Sequence, residues 1–311
     1  SCVIRNLYCR DYLGIYKDLT ALASQDEKMN AFFLTKNIIN SQKEYKKIPG
    51  NVFAYWVSPK AVDLFEHQKL EDVVTIKSGI VTGNNEYFLK FWYEIDFGKI
   101  GFHHKIFMDN SNIQWVPMQK GGGYRKYYGL HEHIMNLHDI WEPSKTNESV
   151  RRGDSSFYFK KGLTWSTLSN KLSVRFSPKG FVFDTKGSMC FAKRNEDLLY
   201  FEAFLNSVVS AFYMSFLSPT LDFNQGAMGK IPILIDLERK INVDKLAQVN
   251  TMLCKTDWDS FETSWDFQEH PLIRCASCSG QETDADAPKH IKEIHYIEDA
   301  FANWNNECDL R

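Results

Sequence analysis

Residues 198–216, LLYFEAFLNSVVSAFYMSF, carry apolar side chains at helical spacing until Pro219 ends the pattern. Around this predicted helix, short β-like runs broken by Gly, Asn and Pro extend from about residue 70 to residue 235. Examples of these runs are residues 73–76, 86–91, 157–159, 181–183 and 231–235. One long internal helix among many short strands predicts a mixed α+β fold with a β-rich domain and many connecting loops.

Turn signals and a second helical pattern flank this region. Pro49-Gly50 predicts a turn, residues 52–57 predict a buried strand, and Ser58-Pro59 predicts the start of a short helix through residue 66. Helical spacing returns after Asn242, and a last helix is predicted near the end of the sequence, at residues 291–304. The small, acidic stretch between them, residues 277–288, predicts an exposed linker. We therefore predict three parts, residues 1–50, 51–241 and 242–311.

The composition is that of an ordinary globular protein, with 43% apolar and 24% charged residues. The 23 Phe, 14 Tyr and 8 Trp favour a β-rich core. No apolar run is long enough for a membrane span, and the N-terminus has no signal-peptide pattern. The 7 cysteines are odd in number and irregularly spaced, which favours reduced thiols in the cytoplasm over a disulfide framework.

Charge is unevenly distributed along the chain. Residues 115–194 hold 14 bases and 6 acids, a net charge of +8, whereas residues 257–311 hold 13 acids and 4 bases, a net charge of −9. A basic middle beside an acidic tail is typical of a module that binds a polyanion and carries a solvated spacer. An accidental mosaic of surface charge would give the same totals.

Two loop-like stretches combine glycine with polar or basic residues. In residues 77–86, Asn84 and Asn85 could present the paired donor and acceptor that adenine readout needs, although an ordinary Gly-Asn hairpin turn gives the same pattern. Residues 120–129 place three glycines beside cations and aromatic rings, which suits phosphate and base contacts, or simply a flexible surface loop. The candidate contacts in this second loop are Lys120, Tyr124, Arg125 and Lys126.

Two further stretches carry weaker signals. Residues 161–166 offer the hydroxyls of Thr164 and Ser166 beside an indole, although Trp165 fits a core position equally well. Residues 220–232 form a polar turn whose simplest role is structural closure.

Metal and catalytic motifs are not convincing. Cys275 and Cys278 form one C-x-x-C, but the second half of a zinc site is only loosely met by His290 and His295, so we predict no metal. The chain has no G-x-S-x-G, no H-E-x-x-H and no G-x-G-x-x-G after a strand. Five other histidines fit a solvated surface, namely His103, His104, His131, His133 and His138.

Several stretches resemble the PglX-type adenine-specific DNA methyltransferases of BREX phage-defence systems. The most specific is KTDWDSFETSWDF at residues 255–267, followed by His270-Pro271-Leu272. Other stretches match in the order of that family, between about residues 45 and 275. They are residues 54–58, 83–85, 88–89, 120–129, 164–166, 177–181, 183–184, 219–221 and 231–233.

The resemblance implies a division of labour. In that family a catalytic domain binds S-adenosylmethionine and grips the flipped adenine with an Asn-Pro-Pro-Tyr motif, which is absent from this sequence. Residues 1–50 then correspond to the end of the catalytic half or a connector, residues 51–241 to a DNA target-recognition domain, and residues 242–311 to a helical spacer or docking segment. We expect no cofactor in this chain. The expected partners are double-stranded DNA, the protein's own N-terminal methyltransferase domain and other phage-defence proteins, with no membrane.

On this hypothesis the predicted DNA contacts combine phosphate-binding cations with base-reading polar groups. They are Asn84, Asn85, Lys120, Tyr124, Arg125, Lys126, Arg151, Arg152, Thr164, Ser166 and Arg175. The alternative is a protein-interaction scaffold that docks the methyltransferase to other defence components without reading DNA. An independent enzyme is disfavoured by the missing motifs. Acids repel DNA, so we expect residues 257–267 to dock onto the catalytic half or another system component, with Trp258, Phe261 and Trp265 on one helical face.

Overall fold

The computed structural model describes residues 12–102, 113–277 and 298–306. Its strands are β1 (Leu13–Tyr16), β2 (Ile38–Ser41), β3 (Val74–Lys77), β4 (Leu89–Phe91), β5 (Trp115–Gln119), β6 (His133–Asn136), β7 (Gly162–Trp165), β8 (Val174–Ser177), β9 (Val182–Phe183) and β10 (Met189–Ala192). Its α-helices are α1 (Gln25–Leu34), α2 (Gln42–Tyr45), α3 (Pro59–Asp63), α4 (Leu70–Val73), α5 (Asn85–Phe88), α6 (Leu137–Trp141), α7 (Leu198–Leu205), α8 (Val208–Leu217), α9 (Gln225–Gly229), α10 (Leu237–Trp258) and α11 (Pro271–Ser277). Short 3₁₀ turns occur at Leu64–Glu66, Trp92–Glu94, Phe97–Lys99, Pro143–Lys145, Ser155–Phe157 and Asn195–Asp197.

Two four-stranded sheets organise the centre of the chain. One has the order β3-β10-β7-β8, and the other has the order β4-β6-β5-β9. All pairings are antiparallel except that of β5 with β9, and a separate two-stranded ribbon joins β1 to β2. The mixed α+β class and the helical C-terminal region are therefore confirmed.

Strand β10 separates two hydrophobic cores. Successive side chains of a strand point to opposite faces, so Cys190 lies in one core and Met189 and Phe191 lie in the other. The first core packs the sheet against α7 and α8 and contains the fully buried Trp165 and Phe201. The second core fills the space around the β4-β6-β5-β9 sheet.

The single helix predicted over residues 198–216 is two helices, α7 and α8, bent by 73°. Asn206 ends α7, and its side chain donates to Val174 O at 2.9 Å and accepts from Val174 N at 3.0 Å. Ser207 then caps α8 by accepting from the backbone of Ser210 at 3.4 Å. Both side chains offer the backbone an alternative to helical hydrogen bonds, which explains the break.

Other predicted elements meet mixed outcomes. The helix after Ser58-Pro59, the strand at residues 73–76 and the strand at residues 181–183 are confirmed. The strands predicted at residues 52–57, 157–159 and 231–235 are wrong. Pro232 lacks an N–H for a ladder, and Phe159 has a left-handed φ of 60° that a strand does not accommodate. Residues 86–91 begin as helix α5 and become strand β4 only at Leu89.

Helix α10 begins at Leu237, five residues before the predicted start, because Asp236 caps it by accepting from Glu238 N at 3.0 Å and Arg239 N at 3.2 Å. The predicted boundary between residues 241 and 242 thus falls inside this helix, and the three-part division stays a prediction. The helix ends at Trp258, and the residues that follow it form turns. The prediction of one helical face carrying Trp258, Phe261 and Trp265 is therefore wrong.

Within the described ranges, no single helix is long and apolar enough to cross a membrane. Only when residues 195–205 and 208–217 are taken together, as a bent pair, do length and apolar composition suffice for a span. Much of the predicted linker at residues 277–288 lies outside the described residues. The described part of the last predicted helix, residues 298–304, is helical, and the helix continues to residue 306.

Candidate nucleic-acid interface

Two of the predicted loops begin next to strand β9, one on each side of it. Phe183 pairs with Gln119 of β5, and the backbone of Asp184 donates to Gln119 O at 3.1 Å. On the other side, Ile80 N donates to Phe183 O at 2.8 Å. The loop around residues 78–86 and the glycine-rich loop at residues 120–129 are thus neighbours across one buried strand.

The first loop presents its two asparagines on the surface. The side-chain oxygen of Asn84 caps α5 by accepting from Tyr87 N at 3.2 Å, and that of Asn85 accepts from the hydroxyl of Thr82 at 2.6 Å. Both residues are exposed. Each oxygen keeps a second lone pair beside the amide nitrogen, so the donor and acceptor pair that adenine readout needs is still present.

Arg151 lies beside this loop. Val81 and Arg151 exchange backbone hydrogen bonds of 2.7 and 2.9 Å, and the Arg151 residue is exposed. Gly83 allows the loop to pack closely against the segment that precedes Arg151, because a Cβ at this position would lie 2.1 Å from Ser149 Oγ. We call the exposed group of Asn84, Asn85 and Arg151 the Asn-Arg cluster.

Arg152 behaves differently from its neighbour. It donates through Nε to Ile140 O at 2.9 Å and through Nη2 to Thr146 Oγ1 at 3.3 Å, and its guanidinium lies 5.1 Å from the centre of the Trp141 ring. These contacts are internal, so the structure places Arg152 in a packing position rather than in the Asn-Arg cluster.

The glycine-rich loop is anchored at its start by an ion pair. Lys120 Nζ lies 2.6 Å from Asp184 Oδ2, and the other oxygen of this buried carboxylate accepts from the backbone of Lys186 and Gly187, each at 2.7 Å. Burial raises the pKa of Asp184, against the opposing effect of Lys120. Lys120 therefore serves as the counter-ion of Asp184, and a phosphate would have to compete for it.

The middle of the same loop is fastened to the helices. Arg125 donates to Tyr128 O at 2.8 Å, pairs with Asp257 at 2.6 Å and lies 5.2 Å from the ring centre of Trp258. Lys126 Nζ donates to Asn206 O at 2.7 Å. Both predicted phosphate contacts thus already hold the loop to α10 and to the break between α7 and α8.

Tyr124 is the loop residue that faces solvent, with 54% of its surface exposed. It stands at a shallow cleft of about 280 Å³. This cleft is lined by Gly122, Gly123, Tyr124, Leu168, Ser169, Asn170 and Leu221. We call this the Tyr124 cleft. The sequence did not single out Leu168 or Asn170, whereas Leu221 lay in one of the stretches that resemble the PglX family.

Three other predicted contacts lie below the surface. Thr164 is buried and donates to Gly187 O and Ser188 O, each at 3.1 Å. Arg175 is 0% exposed and donates to the buried Ser166 Oγ at 3.4 Å, and burial lowers its pKa to about 10. These side chains brace the sheet beneath the glycine-rich loop, and the structure does not bring them together with the exposed residues.

The acidic, tryptophan-rich segment packs back onto the body. Trp258 is buried, and Trp265 lies 6.1 Å from the ring of His131, 5.8 Å from Phe181 and 4.9 Å from Phe102. Its acids find internal partners, because Lys255 pairs with Asp259 at 2.5 Å and with Asp266 at 3.1 Å. The segment therefore packs onto this chain's own body, and docking onto the catalytic half or another system component stays a prediction.

The expectation of surface histidines is wrong for His131. This residue is buried among Tyr128, Phe181 and Trp265, and burial, with the charge of Arg175 next in size, lowers its pKa to about 3. The predicted C-x-x-C cannot be placed because Cys278 lies outside the described residues. Within the described ranges no group of three potential ligands could hold a metal ion.

No protein-family model matches the chain. Over 99% of its length the chain is 32% identical to the adenine-specific methyltransferase PglX of Lacticaseibacillus casei (strain Zhang), of which it covers 26%. Over 79% of its length it is 33% identical to the adenine-specific methyltransferase BrxX of Escherichia coli O9:H4 (strain HS), of which it covers 19%. The chain is therefore homologous to a region of PglX and BrxX, and it spans about a quarter of the first relative and a fifth of the second.

Proposed function

We propose that this chain, homologous to the PglX and BrxX adenine-specific methyltransferases, is the DNA-recognition region of an N6-adenine DNA methyltransferase acting in phage defence. The observation that carries the proposal is the pair of exposed sites, the Asn-Arg cluster and the Tyr124 cleft, on loops that flank one strand. Amides, a guanidinium and an aromatic ring on neighbouring loops suit contacts with base edges and phosphates.

The proposed role separates recognition from catalysis. Methylation of an adenine within a duplex requires the base to be flipped into a pocket while another surface keeps the duplex in register. This sequence contains no Asn-Pro-Pro-Tyr, so the flipped base and S-adenosylmethionine would be held by another part of the longer enzyme. The role left to this chain is to hold and read the flanking duplex.

Charge supports the proposal only in part. Of the basic residues in the 115–194 stretch, Lys120 and Arg125 are neutralised by internal acids. Other cations of that stretch are exposed and can meet phosphate, among them Lys145, Arg151, Lys160, Lys171, Lys179 and Lys186. We therefore assign phosphate binding to these exposed cations rather than to the whole predicted set.

The test is binding of the purified chain to labelled duplex DNA at about 50 and 200 mM salt, a range over which several phosphate contacts cost orders of magnitude in affinity. A steep loss of affinity supports DNA recognition and justifies selection of a preferred sequence from a random duplex pool. No binding at the lower salt contradicts the proposal for this chain on its own. Methyl transfer by the chain alone would also contradict it, since it would make the chain an enzyme.

One observation favours the scaffold alternative. Helix α10 buries Ala247 and Trp258 against the body, yet it exposes a second apolar stripe on its outer face. The stripe consists of Leu237, Ile241, Val249 and Met252. It would suit docking of the catalytic half or of another defence protein. If the chain does not bind DNA, and Ile241→Glu abolishes its association with a separately expressed catalytic half, docking is the function of this chain.

A further inference from the structure

The Tyr124 cleft carries two large apolar side chains that the core does not explain. Leu168 is 62% exposed and Leu221 is 55% exposed, on loops that are far apart in sequence. We infer that Leu168 and Leu221, beside Tyr124, form an apolar edge that contacts the bases of bound duplex DNA. This inference rests on the proposed function and identifies specificity residues that the sequence did not predict as contacts.

The two leucines are held rigidly together. Ser169 N donates to Leu221 O at 3.0 Å, Phe223 N donates to Thr167 O at 2.6 Å, and Leu168 forms a bridge with Asp222. The indole of the fully buried Trp165 donates to Phe223 O at 2.8 Å, which ties both loops to the core. The backbones of both leucines are therefore hydrogen-bonded in place, so little backbone conformational entropy is lost when they meet a partner.

The surroundings of the leucines suit DNA. The residues that line the cleft are apolar, aromatic or uncharged polar, and none is a carboxylate. Two exposed lysines lie close to the cleft along the backbone, because Lys186 O accepts from Thr167 N at 3.0 Å and Lys171 follows Asn170. Asp222 is exposed next to Leu221 and would repel phosphate there, so we expect the DNA backbone to pass on the side of Lys171 and Lys186.

This arrangement matches a known mode of DNA contact. Apolar side chains touch the thymine methyl group or wedge between base steps, while neighbouring cations bind phosphate. Gly122 and Gly123 contribute only backbone to the lining of the Tyr124 cleft, which leaves room for a base edge. An apolar contact releases no counterions, so its loss should weaken binding without changing the salt dependence.

The experiment compares DNA affinity of the whole chain with that of Leu168→Ala and Leu221→Ala, over a salt series, on random-sequence duplex. We expect each variant to bind about tenfold more weakly, with the same slope of log affinity against log salt concentration. Leu168→Met and Leu221→Met keep the apolar surface and should restore most of the affinity. Leu234→Ala, at an exposed leucine outside both the Tyr124 cleft and the apolar stripe of α10, is the matched control and should bind as the unmodified chain does.

The outcomes separate the two proposals. If the unmodified chain binds DNA and the alanine variants bind equally well, the apolar edge is contradicted while the proposed function stands. A changed salt slope in the alanine variants would also contradict the edge, because it would mean that phosphate contacts had moved. If the unmodified chain does not bind DNA, both proposals fail together. Thermal unfolding of each variant checks that the fold is intact.

Discussion

Arg125 and Asp257, 132 positions apart in sequence, form a 2.6 Å ion pair while the Arg125 guanidinium lies over the ring of Trp258. This contact fastens the glycine-rich loop to the end of α10. It also shows that the basic middle and the acidic tail of the sequence partly neutralise each other. Net charge over long stretches therefore overstates the positive surface that is available to a polyanion.

The first prediction concerns the energetics of this contact. Arg125→Ala should lower the free energy of unfolding by about 1–3 kcal/mol, because it removes the ring contact and the hydrogen bond to Tyr128 O as well as the ion pair. Asp257→Asn should lower it by less than about 1 kcal/mol, because the pair is partly exposed. Urea unfolding of both single variants and of the double variant measures these values. A coupling free energy of zero in this double-mutant cycle would contradict the assigned contact.

Neutralising Asp257 should also change DNA binding in a definite direction. Without its carboxylate, Arg125 becomes available to phosphate, so we expect tighter binding at low salt and a steeper salt dependence. Glu262→Gln, which removes an exposed acid of the same segment, is the control for loss of general repulsion. Equal gains in the two variants would contradict a specific release of Arg125.

Sequence patterns predicted the fold class and several elements but not the use of the charged residues. Spacing located α10 and β9 to within a few residues because apolar periodicity is a local property. The break at Asn206 was missed because two polar residues inside an apolar run leave the average spacing unchanged. Ion pairs such as Lys120 with Asp184 depend on which distant segments meet, and no local pattern encodes that.

The candidate site residues also differ in whether a local sequence pattern could predict their placement. The asparagines of the first loop are on the surface because the turn that carries them needs polar side chains there. Arg175, in contrast, is a residue of β8 whose side chain is buried in the protein interior. A charged residue is normally exposed, so the sequence alone does not indicate this burial. Leu168 was not singled out, and Leu221 appeared only within longer stretches, because an isolated leucine in a loop resembles an ordinary core residue until the two are seen side by side.

The second prediction follows from Glu202, which α7 buries against α10. Thr251 Oγ1 donates to its carboxylate at 3.0 Å, and burial raises its pKa to about 8. In the unfolded chain this carboxyl loses its proton near the ordinary glutamate pKa of 4.5, so stability should fall as pH rises from about 4.5 to 8, by at most about 1.4 kcal/mol per pH unit. Urea unfolding at pH 5, 7 and 9 measures the fall.

Glu202→Gln provides the matched test because it keeps the shape and the acceptor for Thr251 without a titrating group. We expect the variant to be more stable than the unmodified chain at pH 9 and to lose that advantage at pH 5. A difference between the two proteins that is constant across the pH range would show that ionisation of Glu202 is not responsible.

The third prediction concerns acid sensitivity at His131. Its lowered pKa keeps the ring neutral in the folded chain, whereas the unfolded chain takes up a proton near pH 6.5. Stability should therefore fall as pH decreases from about 6.5 towards 3. His131→Phe keeps an aromatic ring among Tyr128, Phe181 and Trp265 but cannot take up a proton. The stability of this variant relative to the unmodified chain should therefore rise as the pH is lowered from 7 to 4. Denaturant unfolding at those two pH values checks this, and a relative stability that does not change with pH would contradict it.

The fourth prediction uses the contrast between Arg151 and Arg152, adjacent residues of the same type in different surroundings. Arg151 is exposed in the Asn-Arg cluster, so Arg151→Ala should reduce the magnitude of the salt slope of DNA binding by about 0.9 and leave stability within about 0.5 kcal/mol. Arg152 donates to Ile140 O and lies over Trp141, so Arg152→Ala should cost about 1–3 kcal/mol of stability and leave the salt slope unchanged. Fluorescence anisotropy over a salt series and urea unfolding measure the two effects on the same samples. Because charge and sequence position are matched, a change of salt slope in the Arg152 variant equal to that in the Arg151 variant would mean that general charge, rather than the geometry of the cluster, governs binding.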